Sequence, residues 1–184
     1  MVDGLLQTHY NKLCSVESNM VEHMPTLRRY AELVDSVVEF GVCNGRSTTA
    51  LLAGCPKQMV SYDLVPKWEC ITNLYELALE AHIPWKFVKG DTREISIMET
   101  DLLFIDTDHT YTQLKQELRL HSNKVKRFII LHDTVTNGTV GSDGTEGMQR
   151  AIDEFLESKG WQVKEVFENC HGLMVLERGV AWKV

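Results

Sequence analysis

The sequence offers little that would cross-link or anchor it. It has no C-x-x-C pair, and its five cysteines, Cys14, Cys43, Cys55, Cys70 and Cys170, are an odd set, so neither a disulfide framework nor a zinc ribbon is indicated. Nowhere do eighteen apolar residues run together, and the opening MVDGLLQTHYNKLCSVES has no basic segment followed by an apolar one. A basic stripe is also missing: 26 acids against 19 bases give a formal net charge of −7, a poor match for a phosphate backbone. Internal repeats and low-complexity tracts are absent too. These absences predict a reduced, cytoplasmic protein with neither nucleic acid nor membrane as partner.

What is present is an alternation. In a chain of 184 residues, 43% of them apolar, there is enough for one sizeable core, and a single domain over 1–184 is expected. Short strand-like runs fall at 36–40, 58–63, 85–91, 101–106 and 126–133, separated by helical stretches near 47–54, 68–82 and 110–123. Thr110 and Gln113 stand at capping-box spacing ahead of Tyr111, Leu114 and Leu118 on one face. A further helix is predicted over 146–159, with Met148, Ala151, Ile152, Phe155 and Leu156 as its core face. Two strands, WQVKEVFEN and GLMVLERG, then pair antiparallel across a turn at Cys170 and His171. The predicted fold class is α/β: a doubly wound, mostly parallel seven-stranded sheet with an antiparallel C-terminal strand and helices on both faces. Residues 1–34 read as a helical cover and 35–184 as the α/β core, and the exposed helical cover suits a homodimer.

Each parallel strand carries an acid at or just past its end: Glu39, Asp63, Asp91, Asp106 and Asp133. Acids are ordinary helix caps and turn formers, so any one of them has a bland explanation. Five together predict a ligand site outside the carboxyl ends of the strands, where open α/β sheets bind their ligands. A row of acids there seeks hydroxyls, amines or a cation. The loop Gly41-Val42-Cys43-Asn44-Gly45 lacks the central glycine of a dinucleotide fingerprint, and no P-loop lysine occurs.

Taken in order, VEFGVCNGRST, SYDL, GDTRE, LLFIDTDHTY and FIILHDT resemble the motifs of class I S-adenosylmethionine-dependent methyltransferases. E-x-G-x-x-x-G-R-S-T followed by F-I-D-x-D-H-x-Y and H-D-T resembles one branch, the small metal-dependent O-methyltransferases related to macrolide-sugar methyltransferases and cephalosporin hydroxylase. The resemblance implies a Rossmann-like methyltransferase fold with S-adenosylmethionine as cofactor. Gly41 and Gly45 would lie against its methionine part, with Glu39 below attracting the ammonium group. Ser47 and Thr48 would cap the next helix, Asp63 would accept from the ribose hydroxyls, and Asp91 would meet the adenine amino group. The plainer reading of Asp91 is a cap before TREI.

The same resemblance implies a divalent cation at the ends of the fourth and fifth strands, held by Asp106 and Asp133, with His132 either a third ligand or only a hydrogen-bond partner of a neighbour. Oxygen-rich ligands favour Mg²⁺, and a ligating His132 brings Mn²⁺ or Fe²⁺ into range. The branch often has an acid where this chain has His132. His109, by its place in D-x-x-H, is the expected general base, with an ordinary pKa near 6.5; capping the helix at Thr110 is its alternative. The glycine-rich stretch 134–147 reads as a flexible substrate loop or lid. The expected activity is methyl transfer to a hydroxylated small-molecule acceptor. An iron-dependent hydroxylase on the same sheet, or an inactive cofactor-binding partner subunit, are the alternatives.

Overall fold

The computed structural model describes residues 4–157 and 160–179. Its seven strands follow the order β3-β2-β1-β4-β5-β7-β6, the doubly wound order that places helices around a mostly parallel sheet. By compactness the chain divides into two units, one ending at Ile95 and the other beginning at Ser96. Among the described residues, no helix is long and apolar enough to cross a membrane.

The first unit opens with α1 (Leu5–Cys14) and α2 (Met24–Ala31), the expected helical cover. It continues through β1 (Ser36–Phe40), α3 (Arg46–Ala53), β2 (Gln58–Asp63), α4 (Trp68–Glu80) and β3 (Trp85–Lys89). β1 pairs in parallel with β2, and β2 with β3. Val37, Val38 and Phe40 of β1 are buried, as are Ala50, Leu51 and Leu52 of α3 together with its Ser47, Thr48 and Thr49, so this helix is enclosed over most of its surface and sits inside the unit. The Arg46 guanidinium donates to the carbonyls of Leu13 and Val16 at 3.0 and 3.2 Å, fastening the end of α1 to the start of α3. β3 stops two residues short of the acid expected at its end, because Asp91 begins a turn in which Glu94 N–H donates to the Asp91 carbonyl.

The second unit comprises β4 (Thr100–Ile105), α5 (Tyr111–His121), β5 (Val125–His132), α6 (Gln149–Glu157), β6 (Trp161–Phe167) and β7 (Leu173–Arg178). β4 and β5 are parallel; β7 runs antiparallel to both β5 and β6 and lies between them. Phe104, Phe128, Ile129 and Ile130 are almost wholly enclosed, each worth about 1.5–3 kcal/mol of transfer free energy. Thr110 caps α5 as its spacing predicts, its hydroxyl accepting from Gln113 N–H at 3.3 Å. The helix predicted over 146–159 starts only at Gln149, since Gly147, Met148 and Gln149 spend their N–H groups on carbonyls of residues 137–139. Its last two expected residues lie outside the described ones.

Gly45 is where β1 turns into α3, at φ 74°. A Cβ there would stand 2.8 Å from Cys70 Sγ and 2.9 Å from Leu74 Cδ1, so both the left-handed backbone and the approach of α4 demand glycine. Gly45→Ala is expected to cost about 1–3 kcal/mol. A lowered thermal midpoint, partly restored by adding Cys70→Ala, would bear this out; an unchanged midpoint would contradict it.

Candidate active site

In the first unit the site begins with a carboxylate that has no access to water. Glu39 is fully buried, and burying an unpartnered carboxylate is expensive. Three hydroxyls donate to it: Ser47 at 2.7 Å, Thr48 at 2.8 Å and Ser61 at 2.6 Å. Ser61 in turn accepts from the Trp85 indole N–H at 2.9 Å, so the network joins β1, α3, β2 and β3. Ser47 and Thr48 therefore turn inward to Glu39 instead of capping their helix, whose N-cap is Gly45.

Asp63 ends β2 and shapes the glycine loop. Its Oδ2 accepts from the N–H groups of Val42 and Cys43 at 2.8 and 3.0 Å, and its Oδ1 from Val65 N–H at 2.8 Å. With Gly41 at φ 87° and Gly45 at φ 74°, this pins the backbone that leads from β1 into α3. Asp91 is engaged differently. Arg93 grips both of its oxygens, Nε to Oδ1 at 3.0 Å and Nη2 to Oδ2 at 2.7 Å, and the bidentate guanidinium holds this carboxyl below its usual range. Of the expected cofactor residues, then, Glu39, Gly41, Gly45, Ser47 and Asp63 form one connected group, while Asp91 sits in its own turn, with no helix at TREI for it to cap.

The second unit brings four expected residues together. Ile105 pairs with Leu131, so Asp106 and His132, one step further along parallel strands, meet at the strand ends. Asp133 takes φ 59°, a left-handed turn that folds its carboxylate back beside His132. Two oxygens, Asp106 Oδ1 and Asp133 Oδ2, are shared by two imidazoles. His109 Nε2 lies 3.1 and 2.9 Å from them, and His132 Nδ1 3.3 and 3.1 Å. Ligand atoms of Asp106, His109 and Asp133 all fall within 4.8 Å of one another, a mixed oxygen and nitrogen donor set that fits Mg²⁺, Mn²⁺ or Fe²⁺.

The carboxylates change the chemistry expected of His109. Burial pushes its pKa down, but hydrogen bonds and charge from Asp106 and Asp133 outweigh it and raise the value to about 9. His132, against the same opposing burial, rises to about 10. For Asp106 and Asp133 burial acts upward and the two imidazoles, prevailing, hold both carboxyls below their usual range. At neutral pH His109 is thus an imidazolium here, not the free base that an ordinary pKa would give.

Two further residues belong to this site. His171 Nδ1 lies 3.8 Å from Asp133 Oδ1 and 2.8 Å from Thr136 Oγ1. Leu173 pairs with His132, so the turn before β7 returns to the end of β5. Glu117, buried on α5, accepts from Thr107 Oγ1 at 2.9 and 3.1 Å and from Gln113 Nε2 at 2.8 Å, tethering the segment that carries His109. Neither has a local motif; both depend on tertiary return of the chain. The stretch 134–147 is no loose lid in this structure. The carbonyls of Asn137, Gly138 and Thr139 accept from the N–H groups of Met148, Gln149 and Gly147, and Val140 bridges Glu146.

The sequence matches the family described as "Methyltransferase domain" over residues 38–134, more than half of the chain. The chain belongs to this family of methyltransferase domains. Among curated proteins, none matches the sequence at a significant level. Solved structures share the fold across nearly the whole length. The SAH-bound methyltransferase PaMTH1 of Podospora anserina is 16% identical at a TM-score of 0.66, with 97% of this chain and 90% of that one covered. An O-methyltransferase from Bacillus cereus in complex with SAH is 16% identical at 0.62, over 95% and 89%. The N-methyltransferase NodS of Bradyrhizobium japonicum is 14% identical at 0.64, over 88% and 97%. At these identities the likeness is one of fold.

The paired histidines set a pH window for stability. Their folded pKa values lie above the ordinary 6.5, so their contribution is complete below that pH and is lost as pH rises through about 9 to 10. Melting of the cation-free protein should show a midpoint that falls from about pH 6.5 to 10, and the fall should shrink in Asp133→Asn. Equal falls in both proteins would refute the pairing.

Proposed function

We propose that the chain transfers a methyl group from S-adenosylmethionine to a hydroxyl oxygen of a small molecule, assisted by a divalent cation. The observation that carries this reading is the imidazole of His109 clasped by two carboxylates at strand ends, within a methyltransferase-family domain. A cofactor-binding module would need no such group.

The first unit supplies a fitting place for the cofactor. Asp63 is partly exposed, and its Oδ1, with a single backbone partner, keeps acceptor capacity for a ribose hydroxyl, whereas Oδ2 already accepts two N–H groups. Glu39 is enclosed, so it acts on a cationic ligand through its charge and through the loop it braces, not by contact. S-adenosylmethionine, when bound, supplies an electrophilic methyl group on a sulfonium.

In the second unit the exposure of the two imidazoles supports giving them different roles. His132 has a fully enclosed side chain and His109 one that is 22% exposed. Asp106 and Asp133 would hold the cation with His132 Nδ1, 3.3 and 3.1 Å from their oxygens, as third donor in place of His109, which would be left to face the acceptor. The cation would lower the pKa of a hydroxyl bound to it. With the charge of Asp106 and Asp133 directed to a bound cation, His109 would release its Nε2 proton to solvent and would then accept the acceptor's proton at that atom. Alignment of acceptor oxygen and methyl carbon, with water excluded, provides the rest.

Methyl-labelled S-adenosylmethionine, screened against sugars, catechols and hydroxylated natural products, tests the proposal. Label should appear on oxygen, and His109→Ala should lower the rate by about 10²–10⁴-fold. Without divalent cation the rate should climb with pH towards about 9, and with Mg²⁺ or Mn²⁺ its midpoint should move down. Label confined to amines, or full activity in His109→Ala, would defeat this reading.

A further inference from the structure

His109 sits in the short segment between β4 and α5, and one side of that segment is moulded by backbone. In the hairpin of residues 138–147, Ser142 N–H donates to the His109 carbonyl at 3.2 Å, and Tyr111 N–H donates to the Glu146 carbonyl at 2.9 Å. These two bonds bracket His109 and Thr110. Between them Gly141 is buried, its N–H given to the Thr145 carbonyl at 2.8 Å. A Cβ on Gly141 would lie 2.9 Å from the His109 carbonyl oxygen, 3.1 Å from Thr110 Cγ2 and 3.2 Å from the Glu146 carbonyl oxygen. Two of those neighbours are backbone, which cannot rotate aside as a flexible side chain can.

We propose that Gly141 is a positioning residue for His109: the hairpin is a fixed backbone mould that sets where the imidazole meets the Asp106 and Asp133 carboxylates. The proposal rests on reading His109 as the base, and it assigns the glycine-rich stretch a positioning duty in place of lid motion. With a side chain at 141, the His109 backbone must retreat, and a few tenths of an ångström at the backbone are amplified at Nε2. His132 is anchored within β5 and should not follow. The hairpin tip is independent of this contact, since a Cβ on Gly144 meets nothing within 4 Å.

The test needs no acceptor. In the full chain, free of divalent cation and with ¹⁵N-labelled histidine rings, the His109 Nε2–H shared by two carboxylates should give a slowly exchanging, downfield proton, assigned through its loss in His109→Gln. Gly141→Ala should lose or displace that signal while the His132 Nδ1–H signal stays. Gly144→Asn, on a residue that tolerates the left-handed backbone, should leave both unchanged. A folded Gly141→Ala protein with the wild-type His109 signal would overturn the proposal. Should Gly141→Ala fail to fold, Asp143→Ala decides. Asp143 Oδ1 accepts from the N–H and hydroxyl of Thr145 at 2.9 and 2.6 Å, so this change loosens the hairpin from an exposed position. Faster exchange of the His109 proton would support the mould, and an unchanged rate would overturn it. Titrating SAH into the wild-type protein checks the functional reading separately, because its failure would leave the histidine signals as they are.

Discussion

A carboxylate at the end of an apolar strand must find donors, and the kind of donor it finds decides what that strand end can do. Glu39 finds hydroxyls, which lock it away and weld three strands and a helix together. Asp63 finds backbone N–H groups and so dictates the path of a loop. Asp91 finds a guanidinium and is neutralised. Asp106 and Asp133 find imidazoles, whose protons can be given up. One desolvation problem, solved with four types of donor, yields a braced loop on one unit and an imidazole–carboxylate cluster on the other.

The solutions differ in how firmly they are held. Removing one partner from a buried, charged hydrogen bond costs about 1.5–3 kcal/mol, and Glu39 has three such partners, so its surroundings are rigid by construction. The shared oxygens of Asp106 and Asp133 are rigid for another reason. Asp133 is set by a left-handed turn and His132 by a sheet register, while His109 alone arrives from a connecting segment. That segment is steadied from α5 through Glu117 and from the hairpin through its backbone. Local order therefore concentrates where the imidazole must be aimed.

Strand and helix types were legible in the sequence because apolar runs and helical periodicity report burial directly, and the strand-end acids followed from them. Boundaries shifted where backbone found other partners: β3 ends early because Asp91 starts a turn, and α6 starts late because residues 147–149 bond across the hairpin. What polar side chains face was harder to read. Ser47 and Thr48 look like helix caps by position, yet a buried carboxylate claims them, and nothing local announces that Glu39 is enclosed. His171 and Glu117 reach the site by pairing and packing that join distant segments. The raised pKa of His109 likewise depends on carboxylates from two strands, invisible to a reading of D-x-x-H alone.

The central claim is that the loop braced by Glu39 and shaped by Asp63 receives a sulfonium nucleoside. Calorimetric titration of SAH into the wild-type protein and into Asp63→Ala tests it most directly. The account predicts saturable uptake of one SAH per chain, weakened by about tenfold or more when the Asp63 carboxylate is removed. No uptake by the wild-type protein, or equal affinity in both, would contradict it.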